Sequence, residues 1–146
     1  MNFYRSKLEV RKCETIRVCA GGIVDSIQIG DDERAGGSGG KVNEFTLHKG
    51  ETIVRVSGTR VRYPNIDSAL CIGEIKFETN KGNVHGPFGH SAKGRNRRIE
   101  ERFDFNCCAG PDCDAADDTP GHRPGLRKIS GKSGDYLHCV NCKFHM

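Results

Sequence analysis

Eight cysteines in 146 residues are the most reactive feature of this chain: Cys13, Cys19, Cys71, Cys107, Cys108, Cys113, Cys139 and Cys142. Two chemistries use such a set. Cys139-Val140-Asn141-Cys142 has the local spacing of half a zinc site, for which Cys107, Cys108, Cys113 or His122 would supply the other ligands. On a strand, however, side chains an odd number of residues apart point to opposite faces, so Cys139 and Cys142 share a metal only if the strand ends or bulges between them. Disulfides are the expected alternative, tying the 107–113 segment to the C-terminal strand and Cys13 or Cys19 elsewhere, with the pairings left open by spacing alone. Dense, even cysteine usage belongs to oxidising compartments, so a secreted, extracellular protein is expected, although residues 1–7 contain no apolar leader.

The other reactive types are less organised. Asp112, Asp114, Asp117 and Asp118 form an acidic cluster without the glycine and terminal glutamate of a calcium loop, and a solvated surface explains it. The six histidines are scattered, and His138 meets Cys139 only by adjacency in sequence. A nucleophile needs a base, an orienting group and a place for developing charge, and none of these is legible, so neither enzyme nor cofactor is expected. Lys93, Arg95, Arg97 and Arg98, joined by Arg102 and by Arg55, Arg60 and Arg62, could form a patch for sulfated glycans or anionic lipid, because the guanidinium fork matches sulfate and phosphate. The plainer reading is a solvated loop neutralised by Glu100 and Glu101. A formal charge of +4 is too mild to call for nucleic acid.

The elements that must hold these residues are strands. From Thr15 onward, β-branched runs are broken by glycine turns, with candidate strands at 15–19, 23–29, 44–47, 52–57, 72–79, 98–105, 126–130 and 137–144. Ile16 and Val18 alternate, as do Ile23, Ile27 and Ile29 around Asp25, so one face of each strand is expected to be buried. No window carries a helical stripe, and no stretch is long and apolar enough to span a membrane. Residues 36–40, Gly-Gly-Ser-Gly-Gly, read as a loop. Residues 106–123, rich in cysteine and aspartate, read as a surface insertion in one domain covering 1–146.

In order along the chain, Gly36-Gly37-Ser38-Gly39-Gly40-Lys41, Phe45-Thr46-Leu47, Gly50-Glu51-Thr52-Ile53, Val56-Ser57-Gly58, Ile75 to Gly82, His85-Gly86-Pro87-Phe88-Gly89 and Ile129 to Leu137 resemble a jacalin-related lectin domain. The resemblance implies an all-β fold of the β-prism I type, with three four-stranded antiparallel Greek-key sheets around a common axis. It also implies a non-catalytic carbohydrate-binding protein whose partners are glycans or glycoproteins, with sulfated glycans and a homo-oligomer as further expectations.

In that family a Gly-x-x-x-Asp loop near the C-terminus and a glycine pair near the N-terminus hold the sugar. A carboxylate accepts from two adjacent hydroxyls while backbone amides donate to the same oxygens. The corresponding loop here is Gly134, Asp135, Tyr136, Leu137 and His138, with Tyr136 offering a ring face and residues 60–65 expected beside it. His138 stands in place of the aspartate, and residues 1–12 contain no glycine, so the resemblance implies an altered sugar site. The alternative is an interaction module of the same fold that has lost hexose binding and uses its basic surface for polyanions, membrane or protein.

Overall fold

The computed structural model describes residues 8–9, 14–30, 34–63, 69–89, 98–106, 125–133 and 137–145. They form eleven strands: β1 (Leu8–Glu9), β2 (Thr15–Ala20), β3 (Val24–Ile29), β4 (Ala35–Gly36), β5 (Lys41–Thr46), β6 (Ile53–Tyr63), β7 (Ala69–Thr79), β8 (Val84–Gly89), β9 (Arg98–Asn106), β10 (Gly125–Ser133) and β11 (Leu137–His145). Every pairing is antiparallel. Sheet I has the order β4-β3-β2-β5, sheet II the order β8-β7-β6-β9, and sheet III the order β1-β10-β11. The third sheet therefore has three strands among the described residues, where four were expected.

Each sheet is built on a hairpin, β2–β3, β6–β7 or β10–β11, and each turns its apolar face to one shared core. Cross-strand register stacks that face in rows: Ile16 lies between Ile29 and Phe45. Val56, Phe77 and Phe103 come from sheet II, and Leu126, Ile129 and Leu137 from sheet III. All join one cluster, as period-two strands with one wet face must do.

The expected strands are present, with β6 and β10 longer than the sequence suggested and three more strands added. β8 has no strand signature in the sequence because Gly86, Pro87 and Gly89 break its pattern; it is an edge strand, where proline is tolerated. The inward alternation assigned to Ile23, Asp25, Ile27 and Ile29 needs correction. Cys19 pairs with Ser26 but Ala20 pairs with Val24, so Asp25 is an extra, bulged residue. The bulge lets Val24 and Ile27, three residues apart, both reach the core.

Candidate functional site

The same device recurs in sheet III. Lys132 pairs with Cys139 but Ser133 pairs with Leu137, so His138 is the extra residue of β11. Leu137 and Val140, three apart, both face the core, as Val24 and Ile27 do. In both hairpins a three-residue connection, 21–23 or 134–136, is followed by one paired residue and then the bulge. Both read Gly-x-x-x-X, as Gly21-Gly22-Ile23-Val24-Asp25 and as Gly134-Asp135-Tyr136-Leu137-His138. The N-terminal hairpin thus spells the full Gly-x-x-x-Asp spacing, a signal present in the sequence at residues 21–25 in addition to the altered one at 134–138.

The surroundings of Asp25 are made of glycine. The 37–40 segment folds over the bulge, and the Gly37 amide donates to the Asp25 carbonyl at 3.0 Å. A methyl group on Gly40 would lie 2.6 Å from Asp25 Oδ2 and 2.7 Å from the Ala20 carbonyl carbon, and one on Gly39 would lie 3.0 Å from Oδ1. Gly40 also has φ +80, a conformation that a side chain disfavours. Gly21 lies against this pair, its added methyl falling 3.7 Å from the Gly40 Cα. A glycine pair directly before β5 therefore stands beside the carboxylate, the combination that the resemblance placed at the two ends of the chain.

Burial pushes the Asp25 pKa up. Among the described residues its carboxylate accepts no hydrogen bond, while its residue is half-buried rather than sealed. A partly dehydrated carboxylate with unused lone pairs, on a floor free of side chains, can accept hydrogen bonds from adjacent hydroxyls of a flat polar ligand.

The C-terminal loop is arranged differently. Gly134, Asp135 and Tyr136 lie outside the described residues. Leu137 is fully buried, so its side chain belongs to the core and not to a surface site. His138 is half-buried, with Nδ1 3.3 Å from the Leu70 carbonyl. A carbonyl only accepts, so Nδ1 is the donor in that bond, and a neutral ring then has Nε2 as its sole acceptor. The His138 carbonyl takes a hydrogen bond of 3.1 Å from Arg60 Nε, and Arg60 Nη1 is held 3.1 Å from Glu101 Oε2. Arg60 thus lies beside the loop, as expected, and clamps sheet III to sheet II.

Of the basic residues, Lys93, Arg95 and Arg97 lie outside the described residues. Arg98 opens β9 opposite Arg62, and Arg102 is exposed opposite Thr59. Arg55 and Arg60 do not add unpaired charge to a patch. Arg55 chelates Asp104 at 2.9 and 2.6 Å and sits 3.3 Å from Glu78, and Arg60 is neutralised by Glu101.

Among the described residues no disulfide is seen: Cys19, Cys71, Cys139 and Cys142 are not bonded to one another. Cys142 packs against the core, where burial pushes its pKa up to about 12, while Cys139 is on the opposite face of β11. Cys13, Cys107, Cys108 and Cys113, His122 and the acidic cluster lie outside the described residues.

The family model for the jacalin-like lectin domain matches residues 3–111. Among solved structures, the wild-type Malaysian banana lectin is 22% identical, with a TM-score of 0.69 over 94% of this chain and 85% of that one. Frutapin, a lectin from Artocarpus incisa, is 15% identical with a TM-score of 0.70 over 94% and 85%. Artocarpin in complex with mannopentose is 14% identical with a TM-score of 0.69 over 94% and 86%. These likenesses establish a shared fold, the β-prism. No curated protein sequence matches the chain.

Proposed function

This chain belongs to the jacalin-like lectin domain family, and from that premise we propose that it is a non-catalytic carbohydrate-binding protein whose principal sugar site is the Asp25 hairpin. The observation that carries this reading is the meeting of the Asp25 carboxylate with Gly39 and Gly40, against which Gly21 lies. The ionised carboxylate accepts from two neighbouring hydroxyls, and the bare glycine floor lets a sugar ring approach the backbone closely. At the equivalent place in sheet III, the His138 imidazole offers at most one acceptor and cannot chelate a hydroxyl pair. The solved complexes of artocarpin with mannotriose and mannopentose, and the mannose-binding lectin of Ananas comosus, support a neutral glycan as the ligand class.

Around this reading we place a glycoprotein partner, an extracellular setting, and disulfides drawn from Cys13, Cys107, Cys108 and Cys113. The altered C-terminal loop, with Asp135 and Tyr136, is then a secondary contact. The competing polyanion reading would rest on Lys93, Arg95, Arg97, Arg98 and Arg102, and binding through it would fall steeply with salt.

A glycan array at low and high salt, repeated with Asp25→Asn and Asp135→Ala, tests the assignment. Salt-resistant binding to a neutral glycan, lost in Asp25→Asn and kept in Asp135→Ala, is expected. Loss in Asp135→Ala alone would return the site to the C-terminal loop, and salt-sensitive binding to sulfated glycans alone would overturn the neutral-glycan reading.

A further inference from the structure

Asn43 is a polar residue on an apolar face. It alternates with Phe45 along β5 and lies opposite Val18, so it shares the inward side of sheet I with two core residues. Strand chemistry at that position calls for a hydrophobic side chain. Both hydrogens of its amide group go to backbone instead: Nδ2 donates to the Val18 carbonyl at 3.2 Å and to the Lys41 carbonyl at 3.1 Å. One side chain thus ties the opening residue of β5 to β2, and the residue it grips comes directly after Gly40.

The glycine floor beside Asp25 needs such a tie. Gly36, Gly37, Gly39 and Gly40 have no side chains to hold them, and glycine loses more conformational freedom on ordering than any other residue. The segment is therefore held from its ends. At one end Gly36 pairs with Ser26, and the Gly37 amide donates to the Asp25 carbonyl. At the other end Lys41 pairs with Ala20, whose backbone Gly40 abuts. Two further side-chain ties join β2 to β5, Arg17 to Glu44 at 2.8 Å and Thr15 to Thr46 at 2.9 Å. Both lie further along the strand on the outward face, which leaves Asn43 nearest the glycines.

We propose that Asn43 is a positioning residue of the sugar site: by fixing the entry to β5, it holds Gly39 and Gly40 against the Asp25 carboxylate before a glycan arrives. The inference rests on the Asp25 assignment and adds the residue that acts on it through the backbone. A floor already ordered spares binding the cost of ordering it, so Asn43 contributes to affinity without touching the sugar.

Backbone nitrogen relaxation of the ligand-free chain, with calorimetric titration of the neutral glycan retained at high salt on the array, tests the role. Asn43→Asp keeps the shape of the side chain and removes its donor, and Asn43→Ala removes the donor without adding charge. Thr46→Ala removes a tie between the same two strands away from the site and controls for stability. In both Asn43 variants the order parameters of the Gly39 and Gly40 amides are expected to fall, and glycan affinity to drop about threefold to tenfold, the worth of one or two neutral hydrogen bonds. Thr46→Ala is expected to change neither. Order parameters and affinity unchanged in both Asn43 variants, or an equal loss of affinity in Thr46→Ala, overturns the positioning role while leaving Asp25 in place. Full binding by Asp25→Asn in the same titration removes the site itself, and this role with it.

Discussion

Asp25 and His138 hold the same place in two hairpins of one chain: each is the bulged residue four positions after a glycine, just beyond the first cross-strand pair. Their backbones are arranged alike, and their chemistry differs. Asp25 is a carboxylate beside two glycines, whereas His138 is an imidazole held against the Leu70 carbonyl. One site keeps a two-point acceptor and the other has lost it.

Changing the chemistry at the two bulges should have unequal effects. Asp25→Asn is expected to weaken glycan binding about 10-fold to 100-fold, the worth of charge-assisted hydrogen bonds of ~1.5–3 kcal/mol. His138→Asp is expected to restore little on its own, because residues 1–7, just before β1, contain no glycine. Isothermal titration of both variants checks this; full binding by Asp25→Asn would refute the assignment.

Binding and stability should respond to pH in opposite senses at Asp25. Its pKa is raised, so the ionised form needed for binding disappears at a higher pH than for an exposed carboxylate. For folding, a raised carboxyl pKa favours the native state below the unfolded value of 3.8, and that contribution is lost as pH rises through the folded pKa. At neutral pH the charge therefore costs stability, and Asp25→Asn should raise Tm while it removes binding. A lowered Tm in Asp25→Asn would count against this account of the site.

Glu51 should show the reverse dependence. Its buried carboxylate accepts from the His48 amide at 3.0 Å, from Thr79 Oγ1 at 2.7 Å and from Asn83 Nδ2 at 2.5 Å, tying the turn before β6 to the turn after β7. It is shielded by these two turns rather than sunk in the core. Burial opposes its ionisation, but the hydrogen bonds prevail and bring its pKa down to about 2. The stabilisation is present above the ordinary value of 4.5 and is lost as pH falls towards about 2. Glu51→Gln should cost about 1–3 kcal/mol near neutral pH and flatten the acid limb of a denaturant-derived stability profile.

Cys142 should resist alkylation in the native state, since a thiol pushed up to about 12 holds almost no thiolate at neutral pH. Pulsed labelling with a maleimide, followed by peptide mapping, should modify Cys142 only when denaturant is added. Rapid native labelling would mean that β11 opens locally.

Strand chemistry was legible throughout, because a glycine-punctuated run of β-branched residues has few alternatives to a one-faced sheet. Ile16 and Val18 declared their inward face directly. Asp25 did not, because a bulge shifts the period by one, and the sequence 23–29 alternates equally well in the wrong phase. The Gly-x-x-x-Asp spacing is likewise present in the sequence at 21–25, but the spacing alone does not show what lies beside it.

The order of motifs determined the fold family, the hairpins and the loss of aspartate at position 138, all of which depend on residue type and local periodicity. Tertiary structure decided which carboxylate stands in a site. The approach of Gly39 and Gly40 to Asp25, the Arg60 clamp on His138 and the neutralisation of Arg55 by Asp104 each join strands distant in sequence. Such contacts follow from sheet order and bulge position, which backbone hydrogen bonding and packing settle together, and no local pattern of side chains encodes them.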